Sequence, residues 1–225
     1  YNPNHILAVG TAALRNAIDG EIFSKSLFKD FHIPIKIISG QNEANLTYLA
    51  TINEFKKFNN NICMIDIGGG STEIVFGNPK SISSKISLNI GTVNLTEEFI
   101  NNDPPSKIEL SQMEIKIKKI LNEKFKLILN KDNTYLGIGV AGTVTTLKSI
   151  DLNLKKYESK VIHGSELNLE NLVKIKKKLC NLKIKDRIKL NGISEKRADI
   201  IPTGSIILKL IMEKLNFRSI LINNR

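Results

Sequence analysis

Short apolar runs alternate with longer segments of helical periodicity along the chain, and the alternation predicts an α/β protein. HILAV (5–9) and IPIKIIS (33–39) read as strands. Between them Gly10-Thr11 turns into a helix, AALRNAI, with Thr11 as its N-cap. QNEANLTYLATINEF (41–55) has helical spacing, with Leu46, Leu49, Ala50 and Phe55 as its apolar markers. Asn59-Asn60-Asn61 breaks the pattern and places a domain boundary. Beyond it the pattern predicts strands at 62–67, 71–77 and 83–90, then a helix near 94–101 and a long basic one over 109–130. A strand at 134–140 turns at Ala141-Gly142-Thr143 directly into a further helix. From about residue 168 the chain reads as mostly helical, with Pro202 expected to kink the last helix and SILI (219–222) as a closing strand.

The stretch ICMIDIGGGSTEIVFG (62–77) sets two carboxylates on either side of a glycine turn inside an apolar hairpin. Taking Gly69-Gly70 as a two-residue turn with positive φ at both positions pairs residues whose numbers sum to 139, Asp66 with Glu73 among them. Like charges directly opposite on one face repel, so a cation between them is the natural resolution. Oxygen donors without a nearby His or Cys favour Mg²⁺, Mn²⁺ or Ca²⁺ over zinc. The bare amides of the glycine turn can cradle an anion such as phosphate, and metal with phosphate loop is the pairing of phosphoryl-transfer sites. Two more glycine turns lead into helices, at GIGVAGTVTTL (137–147), with Thr143 as cap, and at LNIGTVNLTEEF (88–99). Each is a generic anion site.

Composition narrows this only a little. The 225 residues are 41% hydrophobic, enough for a sizeable core, and no stretch approaches the ~20 apolar residues of a membrane span. No secretory leader pattern is present, and the isolated Cys63 and Cys180 suit buried, reduced thiols, so a cytoplasmic location is expected. The net charge of +11, with Lys-rich stretches at 116–126 and 174–178, suits polyanion attraction or a solvated helix face. Few aromatics interleave with these lysines, which disfavours single-stranded nucleic acid. The chain begins at Tyr1 and ends at Arg225 in or beside apolar runs, so both ends read as cut from something longer.

In order, VGTAALRNA, IISGQNEANLTYLA, MIDIGGGSTEIVFG, SLNIGTVNLTEEF, DPPSKIE, GVAGTVTTL, VIHG and RADIIPTGSIIL span nearly the whole chain. In these stretches it resembles the Ppx/GppA family of exopolyphosphatases and guanosine pentaphosphate phosphohydrolases. The resemblance implies a ribonuclease-H-like fold of the actin/Hsp70/sugar-kinase superfamily, truncated at the N-terminus and slightly at the C-terminus. Residues 1–60 would be the end of domain I without its first phosphate loop, and 61–225 would be domain II with a helical extension. The family's catalytic glutamate falls on Glu43, which would orient or deprotonate the attacking water. Its metal pair falls on Asp66 and Glu73, and its phosphate turn on Gly68, Gly69, Gly70 and Ser71. Arg15 would point a guanidinium into the cleft, and Gly142-Thr143 would form another phosphate-facing loop.

Four departures from the family pattern stand out. Asn42 precedes Glu43 where two glutamates are usual, and Ala141 replaces a common glycine. Asn94 stands at a position that is often arginine, and the first phosphate hairpin is missing. His163 reads as structural, and Arg197 with Asp199 as a helix-end ion pair and domain contact, with substrate binding as the second reading. The expected reaction is metal-dependent release of orthophosphate from the end of inorganic polyphosphate or pppGpp. A homodimer is compatible with this, and neither nucleic acid nor membrane is an expected partner. Two alternatives stay open: an actin-superfamily kinase, and a phosphoanion- or nucleotide-binding regulator with an incomplete site.

Overall fold

In the computed structural model, which describes residues 5–55, 61–126 and 134–224, the hairpin of the 62–77 stretch is the centre of a mixed sheet. Its strands are β3 (Ile62–Ile67) and β4 (Thr72–Gly77). β5 (Ile82–Leu88) extends it antiparallel on one side. On the other, β6 (Leu136–Val140) and β8 (Ser219–Ile222) add in parallel, and β7 (Glu166–Asn168) closes the edge antiparallel. The spatial order is β5-β4-β3-β6-β8-β7. Two short strands, β1 (Ala8–Gly10) and β2 (Ile35–Ile37), form a separate parallel pair.

Because side chains alternate along a strand, β3 is buried on both faces, which explains its nearly unbroken apolar run. Cys63, Ile65 and Ile67 point into the larger core. That core is filled by α4 (Thr92–Phe99), α5 (Lys107–Phe125), α6 (Ala141–Asp151), α8 (Leu169–Asn181) and α10 (Ile201–Lys214). Ile62 and Met64 point the other way, under α3 (Gly40–Phe55). Asp66 and Glu73 continue this second face, so the alternation carries both carboxylates beneath the start of α3.

Several expectations change. The first helix stops early, as α1 (Ala12–Asn16), and a second, α2 (Gly20–Phe31), follows after an extended Ala17. Thr11 sits at the N-cap of α1 but makes no side-chain cap bond. α3 buries Ala44, Tyr48, Ile52 and Phe55, while Leu46 and Leu49, two of its anticipated markers, are 54% and 57% exposed. Pro202 falls in the first turn of α10, where a missing N–H breaks no helical bond, so it opens the helix rather than kinking it. The 3-residue β7 lies in a stretch too short to signal a strand.

α5 begins at Lys107 because Ser106 and Glu109 form a capping box: Glu109 N donates to Ser106 Oγ (3.3 Å) and Ser106 N to Glu109 Oε2 (2.7 Å). Asn101 N and Asn102 N also donate to Glu109 Oε1, and these bonds hold the carboxyl down at about 2. The loop before α5 is thereby fixed. The anticipated end of this helix at 130 and the Asn59-Asn60 boundary lie outside the described residues.

Candidate active site

The hairpin register is as the spacing predicts, with Asp66 opposite Glu73 and every pair from 62–77 to 67–72 in step. The turn itself differs. β3 ends at Ile67 and β4 starts at Thr72, so Gly68 to Ser71 form a four-residue loop closed by Gly68 N donating to Ser71 O at 2.9 Å. None of its glycines has the positive φ that a tight two-residue turn requires.

Close approach is what favours glycine here. A Cβ on Gly69 would press on Val93 at 3.2 Å, and one on Gly70 on Ala12 of α1 at 3.3 Å. The loop carbonyls point at the start of α4: Thr92 N donates to Gly68 O (2.9 Å) and Val93 N to Gly69 O (2.8 Å). Asn94 completes this cap, accepting from Gly91 N (2.7 Å) and donating to Gly70 O (3.2 Å). The turn at 88–99 is therefore not a free anion site; its amides are already occupied. The amides of Gly69 and Gly70, by contrast, have no acceptor among the described residues.

On the α3 side of this loop the structure brings together Arg15, Glu43, Asp66 and Glu73. Arg15 leaves α1 and donates through Nη1 to Ile38 O (2.7 Å) and to Glu43 Oε2 (3.3 Å) in the first turn of α3. Burial, with the charges of Glu73 and Glu43, pushes the Asp66 carboxyl up to about 7. Glu73 is 2% exposed, and burial raises its pKa as well, partly offset by hydrogen bonds from Ser71 and Ser87. Ser87 Oγ donates to Glu73 Oε1 at 2.9 Å. Gly40 lets the start of α3 settle on this pair, since a Cβ there would meet Ser87 Oγ at 2.2 Å. The Arg15 guanidinium is thus shared between a backbone carbonyl and Glu43 rather than standing free in a cleft.

Among the described residues no group of three or more His, Cys, Asp or Glu side chains forms a cation cage. The donor set is instead two opposed carboxylates, both disfavoured in their charged forms. That suits an ion such as Mg²⁺, which takes one or two carboxylates and completes its shell with water and substrate phosphates.

On the opposite side of the glycine loop lies a cavity of about 470 Å³, lined by Gly68, Gly69, Gly142, Thr143, Lys196 and Arg197 among others. Thr143 is not a cap: its hydroxyl is buried and donates to Ile67 O at 2.8 Å, pinning α6 to the end of β3. Gly142 leaves a slot that the Arg197 guanidinium fills, for a Cβ at 142 would stand 2.0 Å from Arg197 Nη2.

The expected Arg197–Asp199 ion pair is absent among the described residues. Asp199 Oδ1 accepts from Ile200 N, and Arg197 has no side-chain hydrogen bond or ion pair among those residues. The sequence offers substrate binding only as a second reading of Arg197 and gives no sign of Lys196. The one signal was the bare Gly142, whose partner lies 55 positions away. A second cavity of about 410 Å³ shares Gly142 and Arg197 and runs along α6 past Thr146 to Lys155 and Tyr157.

His163 is structural: Asn224 N donates to its Nδ1 (3.3 Å) and its ring packs on Phe55. Cys63 and Cys180 are free and buried. Among the described residues no helix is long and apolar enough to cross a membrane.

With this geometry in hand, comparison with known proteins is specific. The sequence is 37% identical over 215 residues to the bifunctional 3-dehydroquinate synthase/phosphatase of Fusobacterium nucleatum, covering 93% of this chain but 31% of that protein. It is 27% identical to Exopolyphosphatase 2 of Mycobacterium tuberculosis, covering 97% of this chain and 70% of that one. The chain thus spans about a third of the first relative and about seven-tenths of the second.

Among solved structures, the Aquifex aeolicus PPX-GPPA enzyme superposes with a TM-score of 0.84 at 29% identity, over 97% of this chain and 71% of that one. An exopolyphosphatase from Cytophaga hutchinsonii gives 0.85 at 25% identity, over 98% and 71%. The α/β architecture with its mixed sheet is therefore the fold of these phosphatases. The profile of the Ppx/GppA phosphatase family matches residues 1–225, and the chain belongs to that family.

Proposed function

We propose that this chain, within its full-length protein, hydrolyses the terminal phosphoanhydride of inorganic polyphosphate or of pppGpp. The observation that carries the reading is the division of charge about the glycine loop. Glu43, Asp66 and Glu73 gather on one side, and Lys196 and Arg197 stand on the other. A phosphate chain laid across the loop would present its terminal phosphoryl group to the carboxylates and its next phosphates to the cations.

The free amides of Gly69 and Gly70 would donate to phosphoryl oxygens. Glu43, its orientation fixed by Arg15, would align a water molecule and accept its proton as the water oxygen bonds to phosphorus. The anhydride P–O bond breaks and orthophosphate leaves with the shortened chain. Mg²⁺ held by Asp66 and Glu73 would, when bound, offset charge on the phosphoryl oxygens. The family resemblance also supports dividing the chain near residue 60, with Arg15 and Glu43 then contributed by the N-terminal unit.

The direct test is phosphate release by the full-length protein from polyphosphate and from pppGpp, with Mg²⁺ and after chelation. Release from either substrate that stops on chelation is expected. Transfer to an acceptor only, or no turnover with binding retained, would overturn the reading in favour of a kinase or a regulator.

A further inference from the structure

Arg187, at the end of the short helix α9 (Ile184–Arg187), is 2% exposed and lies outside the site described above. Its hydrogen bonds all go to main-chain carbonyls of two separate segments. Nε donates to Leu179 O near the end of α8 (2.9 Å), and Nη1 to Ala198 O just before α10 (3.0 Å). Nη2 is buried without a hydrogen-bond partner, its nearest charge being Asp103 Oδ1 at 3.6 Å. A buried guanidinium is costly, and an apolar side chain of similar length would fill the space without that cost. What the arginine adds is a two-pronged brace on the backbone.

The braced backbone carries Arg197. Residues Glu195–Arg197 form a 3-10 turn directly ahead of Ala198, whose carbonyl Arg187 holds. The other end of this loop is fixed as well: Gly192, at φ +88°, lies so close to the Ser149–Ile150 backbone that a Cβ there would come within 2.5 Å. Between these anchors Arg197 reaches to the slot over Gly142, a fit that has no slack on the Gly142 side.

We propose that Arg187 is a positioning residue for the phosphate site, holding the 195–198 turn so that Arg197 stands over Gly142. This rests on the reading above in one respect, that Arg197 receives substrate phosphates. The brace extends further back. Asp103, which faces Arg187, also accepts from Ile184 N through both oxygens (3.0 Å each), and its loop is tied down by Glu109. A line of contacts therefore runs from Glu109 through Asp103 and Arg187 to Ala198 and the guanidinium beside the cavity.

The test is a double-mutant cycle on the full-length protein, with tripolyphosphate as the titrant in calorimetry, so that the readout does not require hydrolysis. Arg197→Ala and Arg187→Met are each expected to weaken binding about 10- to 100-fold, the worth of a charge-assisted hydrogen bond. The double variant should bind no more weakly than Arg197→Ala alone. The salt dependence of binding should flatten equally in both single variants, although Arg187→Met removes no exposed charge.

Additive losses, or native affinity in folded Arg187→Met, would overturn the proposal, as would unchanged affinity in Arg197→Ala. Should Arg187→Met not fold, Asp103→Asn carries the same cycle, because it removes the facing charge and keeps an acceptor for Ile184 N. Weaker binding that depends on Arg197 then supports the proposal, and unchanged binding overturns it. A wild-type protein that binds tripolyphosphate without hydrolysing any substrate would remove the proposed function and leave this cycle readable.

Discussion

On the α3 side of the Gly68–Gly70 loop, three carboxylates and one guanidinium share a single, partly buried neighbourhood drawn from α1, α3 and the hairpin. On the far side, Lys196 and Arg197 face the cavity, and Gly142, Thr143 and the glycine loop supply much of the rest of its wall. The acidic side holds carboxylates whose charged forms burial and mutual repulsion disfavour, with Arg15 as a partial offset. The basic side instead holds a guanidinium left without an ion-pair partner among the described residues, on a turn braced from within the core. The first arrangement is strained until loaded, and the second is preformed. Chemistry is thus expected to fail first when the acidic side is altered, and binding when the basic side is.

The sharpest way to break this contrast is Glu43→Gln, which keeps the shape and an acceptor for Arg15 but removes the proton acceptor. Turnover is expected to fall about 10²- to 10⁴-fold with little change in KM, measured as steady-state phosphate release. A variant with raised KM and intact kcat would place Glu43 in binding and dissolve the distinction between the two sides.

Asp66→Asn tests the strain directly. An acid whose pKa is raised on folding binds its proton more tightly in the native state, so stability falls as pH rises from near 4 to about 7. Above about 7 the ionised, metal-free carboxylate costs on the order of a few kcal/mol. In chelator, Asp66→Asn should therefore melt above the wild type at pH 8 and lose that advantage near pH 4. Added Mg²⁺ should stabilise the wild type and leave the variant unmoved. Thermal melts at the two pH values, with and without the ion, decide it.

How much of this was legible in the sequence follows from which contacts are local. The Asp66–Glu73 pairing was, because strand periodicity and a short connection fix register by counting alone. The loop conformation was not: three glycines suit a tight turn or a close approach equally, and only the distant Val93 and Ala12 reveal the second. The buried face of α3 is ambiguous in the sequence because Leu46 and Leu49 compete with Ala44, Tyr48 and Ile52 as apolar stripes on one helix. The sheet that selects between them arrives later in the chain. For Arg197 the sequence favours its neighbour Asp199, the local choice, whereas the surface it packs against is the start of α6.

Gly142→Ala addresses the basic side without touching a charge. The three atoms nearest an added Cβ all belong to the end of the Arg197 side chain, with Nη2 at 2.0 Å, so the guanidinium must move. Stability should hold or rise by up to about 1 kcal/mol, the usual gain of alanine over glycine within a helix. Tripolyphosphate affinity should fall about tenfold or more. Urea denaturation together with titration separates the two, and lost stability with intact affinity would show that Arg197 has no part in the cavity.

The smallest expected effect lies one residue earlier. Ala141 sits at φ +64°, a left-handed conformation that costs a residue with a side chain about 1–2 kcal/mol. Glycine would remove that cost and return part of it through the greater freedom of the unfolded chain. The expected net gain for Ala141→Gly is about 0.5–1 kcal/mol by urea denaturation. Its consequence for binding is what matters to the comparison, since Ala141 also lines the cavity. Unchanged tripolyphosphate affinity would mean that the basic side owes its shape to Gly142 and the braced Arg197 alone. A drop in affinity would mean that the strained start of α6 helps to aim its amides, and the basic side would then store strain as the acidic side does.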